Sequence, residues 1–266
     1  MVAEFAVLIP ARFASTRFPG KPLVPLRGPT GLSKTLVQRS WECAALIEGC
    51  SGVWVATDDE RIAEEVARFG GKVVMTSPDC ANGTERCADA VAKLDCGAEF
   101  IVNLQGDAPL TPGWMVPQLV ERLAGDPQLA MTTAAIHCNS TMLAHLQADE
   151  AAGRVGGTTA VFDRNMRALY FSKRILPYLP TTASSAAPVF MHLGVYAYRR
   201  SALRNYAAAK QSVLEQSEGL EQLRFLDLGL AVGVCTAEPL GWDPIELNNP
   251  SDVPAIERLL AERNLP

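Results

Sequence analysis

Acidic residues are absent from Phe5 to Trp41, although the 266-residue chain carries a net charge of −5. The seven cysteines include no CxxC pair, and the three histidines do not group with them in a zinc-binding spacing. We therefore expect free thiols in a reducing cytoplasm, without a disulfide framework or a zinc site. No apolar run approaches the roughly 20 residues of a membrane helix, and the short N-terminal run lacks the flanks of a signal peptide, so we expect no membrane partner.

The acid-free segment carries six basic residues, whereas ordinary surface loops interleave charges of both signs. A local cationic field in an acidic protein predicts a small, strongly anionic ligand and disfavours nucleic acid as the partner. A solvated loop is the alternative interpretation. The six residues are Arg12, Arg17, Lys21, Arg27, Lys34 and Arg39.

Short apolar runs alternate with helical patterns through the first half of the chain. The runs at 5–9, 52–57, 72–76, 99–104 and 129–136 predict buried strands, and the segments between them predict helices, the first at 33–48 with Ser33 as N-cap. This alternation predicts an α/β fold with a mostly parallel, Rossmann-like sheet. Ligands of such sheets bind at the carboxyl ends of the strands, where the cationic loop, Asp58 and Asp107 fall.

The pattern changes after residue 155. We predict a hairpin turning at 164–167, a strand at 189–198, one helix over 214–229 that ends at Gly229, and a last strand at 231–238. A final helix begins with Asn249 as N-cap, Pro250 in its first turn and Asp252 three residues on. We interpret 1–266 as a single domain in which 155–200 is an inserted β-rich arm that packs on the main sheet or on a second subunit.

Two loops carry the chemistry. After the first strand, Pro19 and Gly20 permit sharp turns beside three cations, which suits a phosphate chain, although neither G-x-x-x-x-G-K-[ST] nor G-x-G-x-x-G is present. After a later strand, Asp107 follows Gly106 at the same predicted sheet edge. Magnesium prefers one or two carboxylates together with substrate phosphates, so Asp107 is a candidate Mg²⁺ ligand rather than only a turn former.

The motifs R-x-x-S-T-R-x-P-G-K-P-L (12–23) and N-x-Q-G-D-x-P (103–109) resemble the sugar-activating nucleotidyltransferases, and within them the 3-deoxy-manno-octulosonate cytidylyltransferases. The resemblance continues in order through VATDDERIAE, GGKVVMT, NGTER, ALYFSK, HLGVYAYR and LEQLR. It implies a Rossmann-like nucleotidyltransferase fold with a dimerisation arm, a homodimer, Mg²⁺ as cofactor, CTP as donor and an acidic eight-carbon sugar as acceptor. The implied product is a CMP-sugar for lipopolysaccharide or capsule assembly, formed with release of pyrophosphate.

The same resemblance implies a role for particular residues. Arg12, Arg17 and Lys21 would be catalytic, gripping the triphosphate and stabilising charge on the α-phosphoryl group. Asp107 and the residue at position 248 would hold the metal. The nucleotide site would comprise Pro10, Ala11, Arg12, Asn82, Gly83, Thr84, Arg86 and Gln105, with Glu85 in the same segment, and the sugar site would comprise Gln105, Lys173, His192, Tyr196, Glu221 and Gln222. From the residues alone, His192 and Tyr196 could equally be core, Glu221 a solvated helix position and Arg86 part of a local ion pair.

The sequence departs from the family pattern at four positions. Thr159, Lys173 and Met191 stand where the family has a lysine, an arginine and a basic residue, and Asn248 replaces a metal-sharing aspartate. Lysine does not reproduce the bidentate grip of arginine on a carboxylate. Two alternatives to the family reaction therefore remain: activation of a different sugar, and a non-catalytic nucleotide-binding relative. Asp243 or Glu246 could supply the missing carboxylate.

Overall fold

A nine-stranded sheet organises the part of the chain that the structure describes. The computed structural model describes residues 3–15, 18–179, 188–242 and 245–265. The described residues also form a second, two-stranded sheet that is separate from the large one. The strands are β1 (Phe5–Pro10), β2 (Pro25–Arg27), β3 (Ser33–Thr35), β4 (Cys50–Thr57), β5 (Lys72–Met75), β6 (Phe100–Leu104), β7 (Leu129–His137), β8 (Thr159–Phe162), β9 (Ala168–Ser172), β10 (Phe190–Arg199) and β11 (Ala231–Ala237).

Parallel pairing dominates along the main path of the large sheet, which confirms the predicted α/β class. Its main path runs β5, β4, β1, β6, β10, β7, β11. Strand β1 pairs in parallel with β4 and β6, β4 with β5, and β7 with β11, whereas β10 is antiparallel to both neighbours. The carboxyl ends of β1 and β6 therefore lie side by side, which is the edge where the candidate site residues are expected.

Helices cover both faces of this sheet, because its central strands are apolar on both sides. In β1, Phe5, Val7 and Ile9 point into a core with α1, α2 and α4, whereas Ala6 and Leu8 point into a second core with α3, α6 and α8. The helices are α1 (Leu36–Ala45), α2 (Glu60–Arg68), α3 (Gly83–Lys93), α4 (Met115–Gly125), α5 (Ser140–Ala151), α6 (Arg200–Ala208), α7 (Val213–Glu218), α8 (Leu223–Asp227) and α9 (Val253–Glu262).

Two of the predicted helices were wrong in their bounds. Ser33 is not an N-cap: Ser33–Thr35 pair with Pro25–Arg27 as β3, and the helix begins at Leu36. The single helix over 214–229 is two helices, α7 and α8, because Gly219 takes a left-handed backbone (φ 62°) that ends α7. Helix α5 was not predicted at all.

The range predicted as an inserted arm divides into two parts. Its last segment, β10, is a central strand of the main sheet, between β6 and β7. The predicted hairpin is present as β8 and β9, and β8 pairs with the start of β10 through Ala160 and Phe190. Among the described residues of the range, this hairpin is the part that could form an arm, and its use in dimerisation stays a prediction. Residues 180–187 of the range lie outside the described part.

The cap predicted at Asn249 does not belong to the C-terminal helix itself, which begins at Val253 with Asp252 as its N-cap. Asn249 and Asp252 form a reciprocal capping box around a short 3₁₀ turn, Pro250–Asp252, that leads into α9. All seven cysteines are free thiols, as predicted. Among the described helices none has the length and apolar character needed to cross a membrane.

Candidate active site

The loop after β1 is folded back on itself. The backbone N–H of Gly20 donates to the carbonyl of Phe13 (2.9 Å), and the Phe13 ring lies so close to Gly20 that a Cβ there would stand 3.1 Å from Cζ. Gly20 also has a left-handed backbone (φ 72°), a conformation that favours glycine. Arg12 is exposed in this loop and has no ion pair or hydrogen bond among the described residues. Arg17, the second predicted catalytic cation, lies outside them.

Lys21 brings the cationic loop to the candidate metal ligand. Its Nζ lies 2.6 Å from Oδ2 of Asp107, and both side chains are partly buried. The close approach depends on Gly106, because a Cβ at this residue would stand 2.7 Å from the carbonyl oxygen of Pro10. The structure thus places the predicted phosphate-binding lysine and the predicted magnesium ligand at one point, at the ends of β1 and β6.

A C-terminal loop completes this side of the site. The N–H of Leu247 donates to the backbone carbonyl of Asp107 (2.8 Å), and Nδ2 of Asn248 donates to Oε2 of Glu246 (3.3 Å). A Cβ on Gly194 would lie 3.7 Å from Oε1 of Glu246, so this carboxylate faces β10. Asp243 lies outside the described residues.

The oxygen donors at this edge suit magnesium. Asp107, Glu246 and the side-chain oxygen of Asn248 are hard ligands, and the side chain of Asp107 is about a quarter exposed (26%). In the described ranges no group of three or more histidine, cysteine or acidic side chains could hold a metal by itself. Magnesium does not need such a cage, since it usually keeps waters and takes substrate phosphate oxygens. Asp107 with Glu246 or Asn248 therefore fits the ion.

The N-terminus of α3 forms the next wall. Asn82 caps the helix by accepting from the N–H of Glu85 (2.8 Å), and Gly83 packs so tightly that a Cβ there would lie within 3.4 Å of the side chains of Pro10, Asn103 and Gln105. The N–H of Thr84 donates to Oε2 of Glu221 (2.8 Å), and its hydroxyl is hydrogen-bonded to Tyr198 (2.8 Å). This arrangement brings together the predicted nucleotide residues Pro10, Asn82, Gly83, Thr84 and Gln105.

Arg86 points away from this wall into the protein. It is 3% exposed, and its Nη1 lies 3.0 Å from Oδ1 of Asp58 and 2.6 Å from the hydroxyl of Thr76. Arg86 therefore forms a structural ion pair, but its partner is Asp58 after β4 rather than a neighbour of Glu85. A contact between Arg86 and nucleotide stays a prediction.

Four of the predicted sugar residues form one cluster beside the Asp107 turn. Glu221 accepts through Oε1 from Nε2 of Gln105 (3.2 Å), which links α8's preceding loop to the end of β6. Burial raises the pKa of Glu221, and burial followed by the charges of Glu221, Glu246 and Asp107 raises the pKa of Tyr196. His192 lies against Tyr196, with 5.6 Å between ring centroids.

His192 is held as a neutral ring. Its Nε2 is hydrogen-bonded to the hydroxyl of Thr133 (2.9 Å), and the ring meets Phe171 edge-on at 5.1 Å. Burial lowers the pKa of His192 to about 3. Near neutral pH the ring can therefore donate or accept a hydrogen bond with a ligand, but it carries no positive charge.

The remaining sugar candidates lie at the margins of the cluster. Gln222 follows Glu221 and is 2% exposed, and its buried Nε2 has no hydrogen-bond partner among the described residues. Lys173 is exposed after β9, and its Nζ lies 2.9 Å from where a Cβ of Gly219 would stand. Of the other departures from the family, Thr159 and Met191 are neighbours, paired across β8 and β10, and the Thr159 hydroxyl donates to the carbonyl of Arg174 (2.6 Å).

Three residues near the site were missed by the sequence analysis. Glu215, Tyr206 and Arg224 form a buried network that reaches Asn82 and Glu85. Only the motif LEQLR, which ends with Arg224, pointed toward this region. The available signal was Arg224 itself, a charged residue between Leu223 and Phe225 in an apolar helical pattern.

A Rossmann-like sheet that carries a cationic loop and a carboxylate at the adjoining ends of β1 and β6 defines a nucleotidyltransferase-type protein. Comparison with known proteins agrees: residues 6–231 match the model of a family described as cytidylyltransferase. The 3-deoxy-manno-octulosonate cytidylyltransferase of Maricaulis maris (strain MCS10) is 42% identical over 254 residues, which cover 96% of each chain. The chain belongs to the cytidylyltransferase family, in the group of the 3-deoxy-manno-octulosonate cytidylyltransferases.

Two further similarities bear on the sugar and on the fold. The 8-amino-3,8-dideoxy-manno-octulosonate cytidylyltransferase of Shewanella halifaxensis (strain HAW-EB4) is 39% identical over 259 residues, covering 96% of this chain and 98% of the relative. A solved structure of CMP:2-keto-3-deoxy-manno-octonic acid synthetase complexed with CTP aligns with a TM-score of 0.83 at 32% identity. That alignment covers 98% of this chain and 100% of the other.

Proposed function

We propose that this chain transfers CMP from CTP to 3-deoxy-manno-octulosonate, or to a close relative of this acidic 3-deoxy sugar, and releases pyrophosphate. The observation that carries the proposal is the meeting of Lys21 with Asp107, 2.6 Å apart, at the carboxyl ends of β1 and β6. Lys21 can bind phosphate and Asp107 can bind magnesium at the same point, which suits attack of a sugar hydroxyl on the α-phosphorus of CTP. Membership of the cytidylyltransferase family supports the reaction type.

The chain's own residues would mainly position the substrates and neutralise charge. Arg12, Arg17 and Lys21 would balance a triphosphate carrying about four negative charges, and transfer of this kind needs little covalent chemistry from the protein. Magnesium, when bound by Asp107 with Glu246 or Asn248, would supply Lewis-acid stabilisation of the phosphate oxygens. On the other side, Gln105, Tyr196 and Glu221 would orient the sugar.

A second acceptor is 8-amino-3,8-dideoxy-manno-octulosonate, the sugar in the names of several similar relatives. Thr159 and Met191 are compatible with either sugar as acceptor. At these two paired positions on adjacent strands, the chain lacks two basic side chains of the family pattern. Loss of positive charge weakens the recognition of carboxylate and alters the preference among acidic sugars.

The use of the product and the assembly of the chain follow from the same reaction and fold. A CMP-activated sugar acid of this kind would enter lipopolysaccharide or capsule assembly, with the reaction taking place in the cytoplasm. We propose a homodimer that uses the β8–β9 hairpin. The exposed side chain of Leu169 on β9 supports an apolar contact there.

The test is pyrophosphate release with Mg²⁺ across the four ribonucleoside triphosphates and both sugars. We expect turnover with CTP, and the preferred sugar identifies the acceptor. Binding of CTP without turnover on either sugar would leave the non-catalytic alternative, and a preference for another triphosphate would contradict the cytidylyl assignment. Thermal-shift titration with CTP gives the binding measurement, because a ligand of the folded state raises stability in proportion to ln(1 + [L]/Kd).

A further inference from the structure

A network of buried polar side chains lies beneath the first turn of α3. Arg224 donates to both oxygens of Glu215, through Nε and Nη2, each at 2.7 Å. The two residues are 1% and 4% exposed, and the guanidinium carbon lies 3.9 Å from the centroid of the Tyr206 ring. A buried ion pair is a weak source of stability, because desolvation offsets much of the attraction. The contacts of the Glu215–Arg224 pair therefore indicate its role better than its contribution to stability does.

The network reaches α3 through two side chains. Nδ2 of Asn82 donates to the hydroxyl of Tyr206 (2.9 Å) and to Oε1 of Glu215 (3.2 Å), while its Oδ1 caps the helix. Nη2 of Arg224 donates to Oε1 of Glu85 (2.8 Å), whose other oxygen accepts from the N–H of Ala81 (2.7 Å). The Glu215 carboxylate thus holds Asn82, and the Arg224 guanidinium holds Glu85, so one ion pair fixes both residues of the cap.

The position fixed in this way matters because Gly83 stands next to Asn82. Its backbone packs against the side chains of Pro10, Asn103 and Gln105, with distances of 3.3 to 3.4 Å from an ideal Cβ position. A shift of a few tenths of an ångström in the cap would therefore change how the α3 terminus meets the end of β1. Residues at both places belong to the candidate nucleotide site.

We propose that Glu215 and Arg224 are positioning residues for nucleotide recognition. They hold Asn82 and Glu85, and through them Gly83, in the place from which the cytidine of CTP is bound. This inference rests on the proposed function. It assigns the network an effect on the cytidine part of the ligand and none on the triphosphate, which the loop with Arg12 and Lys21 would bind.

The experiment compares Kd values for CTP, UTP and inorganic tripolyphosphate in the wild-type chain and in Glu215→Gln, by calorimetric titration with Mg²⁺. The substitution replaces Oε2 by an NH₂ group, so position 215 can no longer accept from Nε of Arg224, and the negative charge that pairs with the guanidinium is lost. We expect the Kd for CTP to rise about tenfold, as for loss of a charge-assisted hydrogen bond, and the CTP-over-UTP preference to fall. The Kd for tripolyphosphate should stay unchanged.

Glu218→Gln is the matched control, on the same helix. Glu218 also accepts from one hydroxyl and one backbone N–H, those of Ser172 (2.8 Å) and Lys173 (3.0 Å), and in the described part of the chain it forms no hydrogen bond with α3. We expect it to lose stability without a change in the Kd for CTP. If Glu215→Gln lowers only stability as well, the pair is structural and the inference is wrong.

Tyr206→Phe covers the case in which Glu215→Gln does not fold. It removes the hydroxyl that contacts Asn82 and Glu215, and keeps the ring that stacks on Phe225 at 4.9 Å. We expect a rise of about threefold in the Kd for CTP alone, as for loss of a neutral hydrogen bond. An unchanged Kd would overturn the inference. A wild-type chain that does not prefer CTP to UTP would instead contradict the proposed function.

Discussion

The ion pair between Lys21 and Asp107 predicts opposite changes in two measurements. In Lys21→Met we expect turnover to fall by roughly 10²-fold, because a single charge-stabilising group in such sites is commonly worth that much. We also expect Mg²⁺ to bind the nucleotide-free chain more tightly, because the ammonium no longer occupies the Asp107 carboxylate. Pyrophosphate release and calorimetric titration with Mg²⁺ measure the two effects.

Lys34→Met is the control for this prediction. Lys34 belongs to the same acid-free segment and forms a partly buried ion pair with Glu42. Its loss should leave both turnover and Mg²⁺ affinity unchanged. Near wild-type turnover in Lys21→Met would identify Lys21 as a surface charge outside the reaction.

Asn248→Asp tests whether the C-terminal loop faces the metal. A carboxylate binds a hard cation better than an amide oxygen, so we expect tighter Mg²⁺ binding and higher turnover. Since Nδ2 of Asn248 now donates to Glu246, the variant places two carboxylates together, and Mg²⁺ should offset the repulsion. A Mg²⁺ titration of pyrophosphate release measures this, with Asn249→Asp as the control, because aspartate and asparagine cap a helix equally well.

An unchanged Mg²⁺ dependence in Asn248→Asp would exclude position 248 from the metal site. Asp107 with Glu246 would then be the ligand set to examine among the described residues.

His192 makes stability depend on pH in a definite direction. Its folded pKa of about 3 lies below the ordinary value of 6.5, so the folded state binds fewer protons between these values than the unfolded state. The contribution is fully present above pH 6.5 and is lost as the pH falls toward 3. We expect the denaturant midpoint to fall less from about pH 7 to about pH 5 in His192→Gln than in the wild-type chain.

The exposed His145 on α5 provides the control for this titration. His145→Gln should show the same fall in midpoint as the wild-type chain. Equal slopes in His192→Gln and the wild type would mean that His192 is not desolvated in the folded state.

At the scale of elements, the first turn of α3 leaves little room for a side chain at Gly83. In Gly83→Ala the new Cβ would crowd Pro10, Asn103 and Gln105, so we expect weaker CTP binding despite the better helix propensity of alanine. In Gly125→Ala, at the end of α4, an ideal Cβ has open space. That control should gain up to about 1 kcal/mol in stability and keep its Kd for CTP. Unchanged CTP binding in Gly83→Ala would place the cytidine elsewhere.

The elements that could be predicted from sequence are those whose signal is local. Strand β6 is apolar at every position but one, and α3 has an asparagine cap followed by an apolar stripe, so both were predicted. Ser33 was assigned to a cap because its pairing with Arg27 depends on a neighbouring strand. Helix α5 was not predicted because only Leu146 of its residues is buried, which leaves no apolar stripe to detect.

The site was predictable as a set of residues but not as a set of contacts. The loop of Lys21 and the turn of Asp107 follow buried strands, so their meeting follows from parallel topology. Gln105 and Glu221 are 116 positions apart, and their hydrogen bond requires the break at Gly219. Without that break, the predicted single helix would not turn both Glu215 and Glu221 toward α3.

At the scale of the whole molecule, the hairpin predicts assembly into a symmetric homodimer. Leu169 on β9 is 62% exposed, so its side chain is available for an apolar contact with a second chain. We expect light scattering at micromolar concentration to give twice the chain mass, and Leu169→Asp to shift it toward the monomer. Val213→Asp changes an exposed apolar residue outside the hairpin and should leave the mass unchanged. A monomer mass for the wild-type chain would contradict the prediction.

The place of β10 in the sheet has a consequence for synthesis of the chain. Phe100 on β6 pairs with Arg199, and Met131 on β7 pairs with Tyr198, so neither strand obtains β10 as its neighbour until almost two hundred residues have been made. While the ribosome is still translating the hairpin, the edges of β6 and β7 that face β10 are unpaired and are of the kind that aggregate. A nascent chain stalled before residue 190 would therefore expose both of these edges at once, and release of β10 from the exit tunnel pairs them together.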